Sequence, residues 1–355
     1  MTYNFDDPIG PGDRAPDFVL PDGDGKPVNL YTTVRGGMPL VLFYPDLAIL
    51  QAAAASLAAV TDELTALPAH VFIVVDAAPA RTLPELAAPF HVVRDPGLTT
   101  LAACGLRADG RVIALRYDPN LRLTGLRRNG AEAIWHFVEQ ARARPPAEAP
   151  RLIQETAPVL IVPHVLSPAF CTELIQLHEE QGNVPSTVNY NKDGVDVQEV
   201  FPEHKIRHDH DVVDAAINRR LDDAFARRVN LEIWKAFNFE VTAREPFNVA
   251  RYAGEEKGHF AVHRDNTTPT SAHMRFAVTV NLNPDDYDGG ALRFPEYGND
   301  LYAPPLGGAI VFSCSHLHEA TPVTRGTRYA LLVFLFGPDG VRQREATLKA
   351  MQNGG

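Results

Sequence analysis

The stretch Arg142-Ala-Arg-Pro-Pro-Ala-Glu-Ala-Pro150 separates two differently patterned halves of the chain. It is rich in Pro and Ala and poor in apolar bulk, and Pro-Pro favours an extended spacer over a packed element. A length of 355 residues exceeds what one hydrophobic core usually organises. Two domains are therefore expected, 1–145 and 155–355, with a linker over 146–154.

Before the spacer, strands alternate with helices. Asp-Gly pairs within 12–30 mark a tight turn between two short strands. Pro39-Leu-Val-Leu-Phe-Tyr-Pro45 and Val71-Phe-Ile-Val-Val-Asp76 are continuous apolar runs, the pattern of strands buried on both faces. An Ala/Leu-rich helix is expected over 49–67. A short helix after Asp76, a strand over 91–96, a helix near 98–104 and a hairpin of 111–118 with 121–126 follow. An amphipathic helix over 131–143 carries Ile134, Phe137 and Val138. This alternation predicts an α/β domain, a mainly parallel sheet with helices on both sides.

After the spacer the pattern changes. A strand is expected over 157–166, then a helix capped by Ser167 with Pro168 at its first position, burying Phe170, Leu174, Ile175 and Leu177. The polar stretch 182–194 is predicted to be a mobile loop. A long helical region over 212–237 sets Ile217, Leu221, Phe225 and Val229 on one face. Beyond Phe247 come short alternating runs bounded by Gly, Pro, Asn and Asp: Arg275-Phe-Ala-Val-Thr-Val-Asn281, Asp288-Gly-Gly-Ala-Leu-Arg-Phe-Pro295 and Pro304-Pro-Leu-Gly-Gly-Ala-Ile-Val-Phe312.

Chemistry concentrates in two stretches, Tyr252-Ala-Gly-Glu-Glu-Lys-Gly-His-Phe-Ala-Val-His263-Arg-Asp265 and Ser315-His316-Leu-His318-Glu-Ala-Thr-Pro-Val-Thr-Arg-Gly-Thr-Arg328. In a strand, i and i+2 share a face, so His263 and Asp265 can present a nitrogen and an oxygen to one point. One more imidazole, from His316 or His318, completes a two-His, one-carboxylate face that leaves positions open on a non-haem Fe(II). Strand parity alone does not choose between the two.

Motif order and spacing over 155–340 resemble the prolyl 4-hydroxylase family of Fe(II)- and 2-oxoglutarate-dependent dioxygenases: a Tyr before His-x-Asp, a Gly-Gly-x-x-x-Phe-Pro strand, then His-x-x-x-Pro-Val leading to a basic residue. The resemblance implies an eight-stranded double-stranded β-helix, a jelly roll with flanking helices. It implies Fe(II) held by His263, Asp265 and His318, with O2 and 2-oxoglutarate as cosubstrates. Arg328 stands where the family binds the far carboxylate of 2-oxoglutarate, and Tyr252 where a hydroxyl assists. Asn281 replaces a Tyr at that carboxylate, a departure. The Asp265 carboxylate implies hydroxylation, since related halogenases lack it. The implied substrate is a peptidyl proline, another residue or a small metabolite, with 2-oxoglutarate decarboxylated to succinate. Phe334 replaces a Trp of the peptide site. Lys205-Ile-Arg207-His-Asp209 resembles an Ile-Arg-x-Asp at the peptide mouth; its alternative is a solvated charged turn. Arg264, Arg275 and Arg293 are either carboxylate-binding or solvated, and His204, His208 and His210 have the spacing of a second metal site.

The first half resembles the peroxiredoxins, a thioredoxin-fold branch, through Gly12-Asp-x-Ala-Pro-Asp-Phe-x-Leu, Phe43-Tyr-Pro45 and Arg94-Asp-Pro96 before Cys104-Gly105. The attacking Cys of that family is missing from Asp46-Leu-Ala-Ile-Leu-Gln-Ala-Ala. A thiolate at a helix N-terminus drives that chemistry, so a redox-dead domain is expected and a thiol peroxidase is not. Cys104 reads as a buried small hydrophobe. Peroxiredoxin-like domains pair, which implies a homodimer.

Composition narrows the rest. Net charge −11 with no Lys/Arg-rich block argues against nucleic-acid binding. Cys104, Cys171 and Cys314 are scattered and odd in number, which fits a reducing cytoplasm without disulfides. The acidic start Met1-Thr-Tyr-Asn-Phe-Asp-Asp is not a signal peptide, and no apolar run is long enough to span a bilayer. A non-catalytic metal-binding or interaction module and a sugar-binding jelly roll are the rival readings. The second would not need Arg328.

Overall fold

The computed structural model describes residues 8–76, 83–129, 133–143, 149–150, 152–192 and 195–353. The chain divides into two compact units, 1–150 and 151–355. Part of the predicted linker (146–148 and 151), residues 77–82 of the short helix expected after Asp76, the start of the helix expected at 131, and the acidic N-terminus lie outside the described residues.

The first unit is built on a five-stranded sheet in the order Phe90–Arg94, Ala69–Val75, Met38–Tyr44, Ile113–Tyr117, Leu123–Arg128. The first three strands are parallel; the last two form an antiparallel hairpin, so the sheet is mixed. This is a thioredoxin-like arrangement. The apolar runs are buried on both faces for a geometric reason. Alternate residues point to opposite sides, so Val41, Phe43, Phe72 and Val74 join one core while Leu40, Leu42, Val71 and Ile73 join the other. The single helix expected over 49–67 is two helices, Leu47–Ala58 and Thr61–Thr65. Val60 separates them at φ −101° and ψ 4°, outside helical geometry, with its side chain fully buried. Core burial of one β-branched side chain overrides a continuous helix here.

The second unit is a jelly roll with flanking helices. Its larger sheet runs Leu160–Val162, Ala309–Ser313, Phe276–Asn281, Val323–Phe336, Asn248–Ala253, His208–Asp211, Val184–Pro185. The smaller runs Lys205–Ile206, His259–His263, His318–Ala320, Leu292–Arg293, Leu301–Tyr302. Period-2 alternation sorts the side chains again. Val249, Leu331, Val333 and Leu335 pack against the helices, whereas Ala250, Tyr252, Leu332 and Phe334 point into the barrel core.

The helix Pro168–Gln181 starts where its cap stands: Ser167 accepts from the Phe170 N–H. Asp214 caps Ala215–Ala224 in the same way. That helical region begins later than the predicted 212 and contains a π-helical turn, Phe225–Val229, before Asn230–Phe237. Only Leu160–Val162 of the strand expected over 157–166 is paired. The predicted loop over 182–194 is a correction. Val184–Pro185 is a strand, and Val188–Lys192 pairs with Val195–Glu199 in an antiparallel hairpin. Its polar composition hid it, but Tyr190 opposite Val197, and the Tyr190 hydroxyl on Glu199 at 2.8 Å, are cross-strand contacts that favour a strand pair.

Candidate active site

The small sheet sets His263 directly opposite His318 across the antiparallel pair of His259–His263 with His318–Ala320. A bulge between Phe260 and His263 breaks the register there, a device that re-aims side chains next to functional sites. Beyond the strand, the Asp265 N–H is held by the Cys314 carbonyl at 3.0 Å. Ligand atoms of His263, Asp265 and His318 thereby lie within 4.8 Å of one another, the only such His/Cys/Asp/Glu group among the described residues. His263 Nε2 is 3.3 Å from Asp265 Oδ1 and His318 Nε2 is 3.6 Å from Oδ2.

Both imidazoles are oriented from behind. His263 Nδ1 sits 2.8 Å from the Ala261 carbonyl and His318 Nδ1 3.0 Å from the His316 carbonyl. Each carbonyl holds the proton on Nδ1 and leaves the Nε2 lone pair facing the cluster, the usual support of a metal-binding His. Burial lowers the His318 pKa, and the Asp265 carboxylate only partly offsets it. Burial pushes Asp265 up, but His318 and His263 outweigh it and hold the carboxyl below its usual range. Asp265 Oδ2 is buried with no hydrogen-bond partner. An unfilled buried acceptor costs about 1–3 kcal/mol, more when charged. A cation is the occupant this atom lacks, and two imidazoles with one carboxylate suit Fe(II).

His316 stays outside the cluster. Residues 314–317 form a turn, not strand, so the parity that left two candidates does not apply. Its ring packs 5.4 Å from Tyr297.

A cavity of about 610 Å³ opens over the cluster; its wall includes His263, Asp265, His318, Tyr252, Lys205 and Phe334. Arg328 is 2% exposed and pairs in register with Tyr252 across the sheet. Its guanidinium lies 5.0 Å from the Tyr252 ring centroid, so Tyr252 borders both the cavity and the buried cation. Arg328 Nη2 makes one long contact to Asn281 Oδ1 at 3.4 Å, and Nε has no partner. Asn281 is 1% exposed and spends its Nδ2 on the Pro304 carbonyl at 2.9 Å. Gly290 makes room for this arginine: at φ +62° a Cβ would stand 2.9 Å from both Arg328 Cδ and Val323 Cγ2. Gly290→Ala is expected to lower stability by about 1–2 kcal/mol and to displace Arg328. Denaturant midpoints and 2-oxoglutarate affinity measured on one preparation check both effects.

The charged stretch after His204 is not a solvated turn. The chain crosses from the small sheet at Lys205–Ile206 to the large one at His208–Asp211, with Arg207 at the crossing. Arg207 grips Asp209 with two bonds of 2.6 Å, Ser186 bonds to the same carboxylate, and Arg207 reaches the Tyr252 hydroxyl at 3.5 Å. His204, His208 and His210 do not converge. His204 turns to Phe260 and His263, His208 to Glu256, and His210 bonds the Gly182 carbonyl. Arg264 pairs with Glu296 and Arg293 with Glu319, while Arg275 is held by Gln343 and backbone carbonyls, so none of the three offers a free guanidinium. The sequence reading passed over Lys205 as a separate site residue. Its signal was an i, i+2 spacing with Arg207, but the crossing between sheets cancels parity at that point.

The family model described as the 2OG-Fe(II) oxygenase superfamily matches residues 247–336, the segment that carries the cluster and Arg328. Residues 247–336 are a 2OG-Fe(II) oxygenase domain. This oxygenase domain is similar to a PKHD-type hydroxylase of Azoarcus sp. (strain BH72), 33% identical over 92 residues, 24% of this chain and 40% of that protein. The chain spans between 25% and 40% of the curated relatives it matches. Among solved structures, the region around the oxygenase domain is similar to a Trichoplax adhaerens prolyl hydroxylase in complex with a hypoxia inducible factor peptide fragment. The identity is 20%, over 54% of this chain and 87% of that one, with a TM-score of 0.41. A peroxidoxin from Mycobacterium tuberculosis is similar at 18% identity over 39% of this chain and 99% of its own, with a TM-score of 0.34.

In the first unit, Asp46 caps the helix Leu47–Ala58 through the Ile49 N–H at 2.9 Å. Cys104 is buried, and that burial raises its thiol to about 12. All three cysteines are free and buried. Among the described residues no helix is long and apolar enough to cross a membrane.

Proposed function

We propose that the second unit is an Fe(II)/2-oxoglutarate-dependent dioxygenase that hydroxylates a C–H bond of a peptidyl residue or a small metabolite. The observation that carries this is the partly buried His263–Asp265–His318 cluster, with its unsatisfied carboxylate oxygen, on the wall of a cavity. In this reading His263 and His318 contribute Nε2 and Asp265 a carboxylate oxygen to iron. Arg328 receives the far carboxylate of 2-oxoglutarate on a guanidinium whose Nε has no other partner. Tyr252 borders that site and Asn281 holds the guanidinium in place. When bound, iron and 2-oxoglutarate supply the oxygen chemistry, with 2-oxoglutarate leaving as succinate and CO2. The chain orients and shields: Phe312 and Leu332 on the cavity wall keep water from the reacting centre.

The deciding experiment is anaerobic titration with Fe(II) and 2-oxoglutarate, following the visible charge-transfer band of the chelate. The band is expected in the wild type, and Arg328→Ala is expected to raise the 2-oxoglutarate concentration it needs by about a hundredfold, the scale of a lost charge-assisted contact. Iron binding without the band would make the unit a metal-binding module instead.

A further inference from the structure

Lys205 is 7% exposed, yet it lines the cavity. Its Nζ donates to the Thr187 carbonyl at 2.9 Å and lies 4.5 Å from the Phe260 ring centroid. Phe260 in turn stacks on His263, centroids 3.5 Å apart, so one aromatic ring links the lysine to the metal-facing imidazole. The other Lys and Arg side chains on the described wall are already matched. Arg207 is taken by Asp209, and Arg264 by Glu296. Lys205 has a neutral carbonyl, an aromatic face and only longer-range attraction from Asp209 and Asp265. A buried ammonium held by neutral groups alone is costly unless an anion joins it. Burial, with Arg207 beside it, accordingly pulls this lysine down to about 6.

We propose that Lys205 anchors a free carboxylate of the primary substrate, so that the cavity takes a small organic acid. This rests on the oxygenase reading above and names the substrate class for it. A cavity of about 610 Å³ is of small-molecule size. Lys205 is a buried side chain on the wall of that cavity, so the carboxylate it binds has to enter the cavity to reach it. The carboxylate at Lys205 is distinct from that of 2-oxoglutarate, for which Arg328 is the cation. The two lysine-side and arginine-side positions belong to different sheets, Lys205 pairing with Phe260 and Arg328 with Tyr252.

The test is calorimetry on the full chain loaded with redox-inactive Mn(II) and 2-oxoglutarate. The probes are the proteinogenic L-amino acids, each against its amide, and the straight-chain dicarboxylates from malonate to adipate, each against its diamide. At least one acid is expected to bind about tenfold or more tightly than its amide, the margin of a charge-assisted contact. Lys205→Met is expected to erase that margin and to leave 2-oxoglutarate binding unchanged. The proposal is overturned if no acid outcompetes its amide in the wild type, a comparison that needs no variant. It is also overturned if the margin survives in Lys205→Met, or if that variant loses 2-oxoglutarate instead, which would make Lys205 the cosubstrate's cation. Failure of the wild type to bind 2-oxoglutarate sinks the oxygenase reading and this proposal together; binding without an acid preference sinks this proposal alone.

Discussion

His318→Ala is expected to weaken Fe(II) binding by more than about a hundredfold, since losing even a supporting contact of a metal ligand costs about 10–100-fold, while His316→Ala leaves it intact. The two histidines stand two residues apart, yet only His318 brings an Nε2 to the cluster, with His316 supplying a backbone carbonyl to its Nδ1. That carbonyl survives truncation of the His316 side chain. His318 is 5% exposed and packs 4.6 Å from the Phe312 ring, so removing it also opens a void. His318→Gln, which fills the space without an imidazole, separates lost packing from lost ligation. Equilibrium dialysis with Fe(II) under argon, beside an unfolding curve for each variant, reads both quantities. Iron lost in His316→Ala and kept in His318→Ala would show the assignment to be wrong.

Asp209→Ala is expected to destabilise the second unit by about 3–5 kcal/mol, because it strands a buried guanidinium. The side chains of Arg207 and Asp209 are 12% and 13% exposed, well below surface pairs whose worth is small. For a unit of this size the loss corresponds to a melting shift of about 10 °C. Arg207→Met combined with Asp209→Leu should recover most of it, since replacing both charges by packed apolar groups removes the stranded ion. A double variant as unstable as the single one would refute the electrostatic account. The pH dependence has a definite sign. Burial raises the Asp209 pKa, but Arg207, its hydrogen bonds, Lys205 and Ser186 bring it below the ordinary carboxylate value. A group whose folded pKa is depressed stabilises fully above its unfolded value, about 3.9. That contribution disappears as pH falls from there through the lower folded value. Asp209→Asn should flatten the acid limb of the stability curve in that window.

Much of the oxygenase domain was legible because its signals are local. The alternation in 276–281 sorts side chains between helix-packed and barrel-core faces without any long-range information. Ser167 and Pro168 marked a helix start that the structure places one residue later than the cap. The glycine pair before Leu292 was visible as part of a Gly-Gly-x-x-x-Phe-Pro strand motif, although its service to Arg328 was not, because that contact joins Gly290 to a residue far along the chain. The hairpin of Val188–Lys192 with Val195–Glu199 was missed because its strands are polar and carry no apolar alternation. The break at Val60 was missed because core burial outweighed helix propensity.

The sequence by itself determined which residue types were available and how they were spaced: a His-x-Asp at a strand end, a basic residue beyond a second His, an apolar run buried on both faces, and no cysteine after Tyr44-Pro45. Those follow from periodicities of 2 and 3.6, which need no partner strand to be read. Tertiary structure alone decided which partners each charge receives. It matched Arg264, Arg293 and Arg207 with carboxylates, left Arg328 Nε and Asp265 Oδ2 without hydrogen bonds, and placed Lys205 in the cavity against a carbonyl and a ring. The reason is that ion pairing depends on separation in space and on burial, and both are set when distant strands come into register.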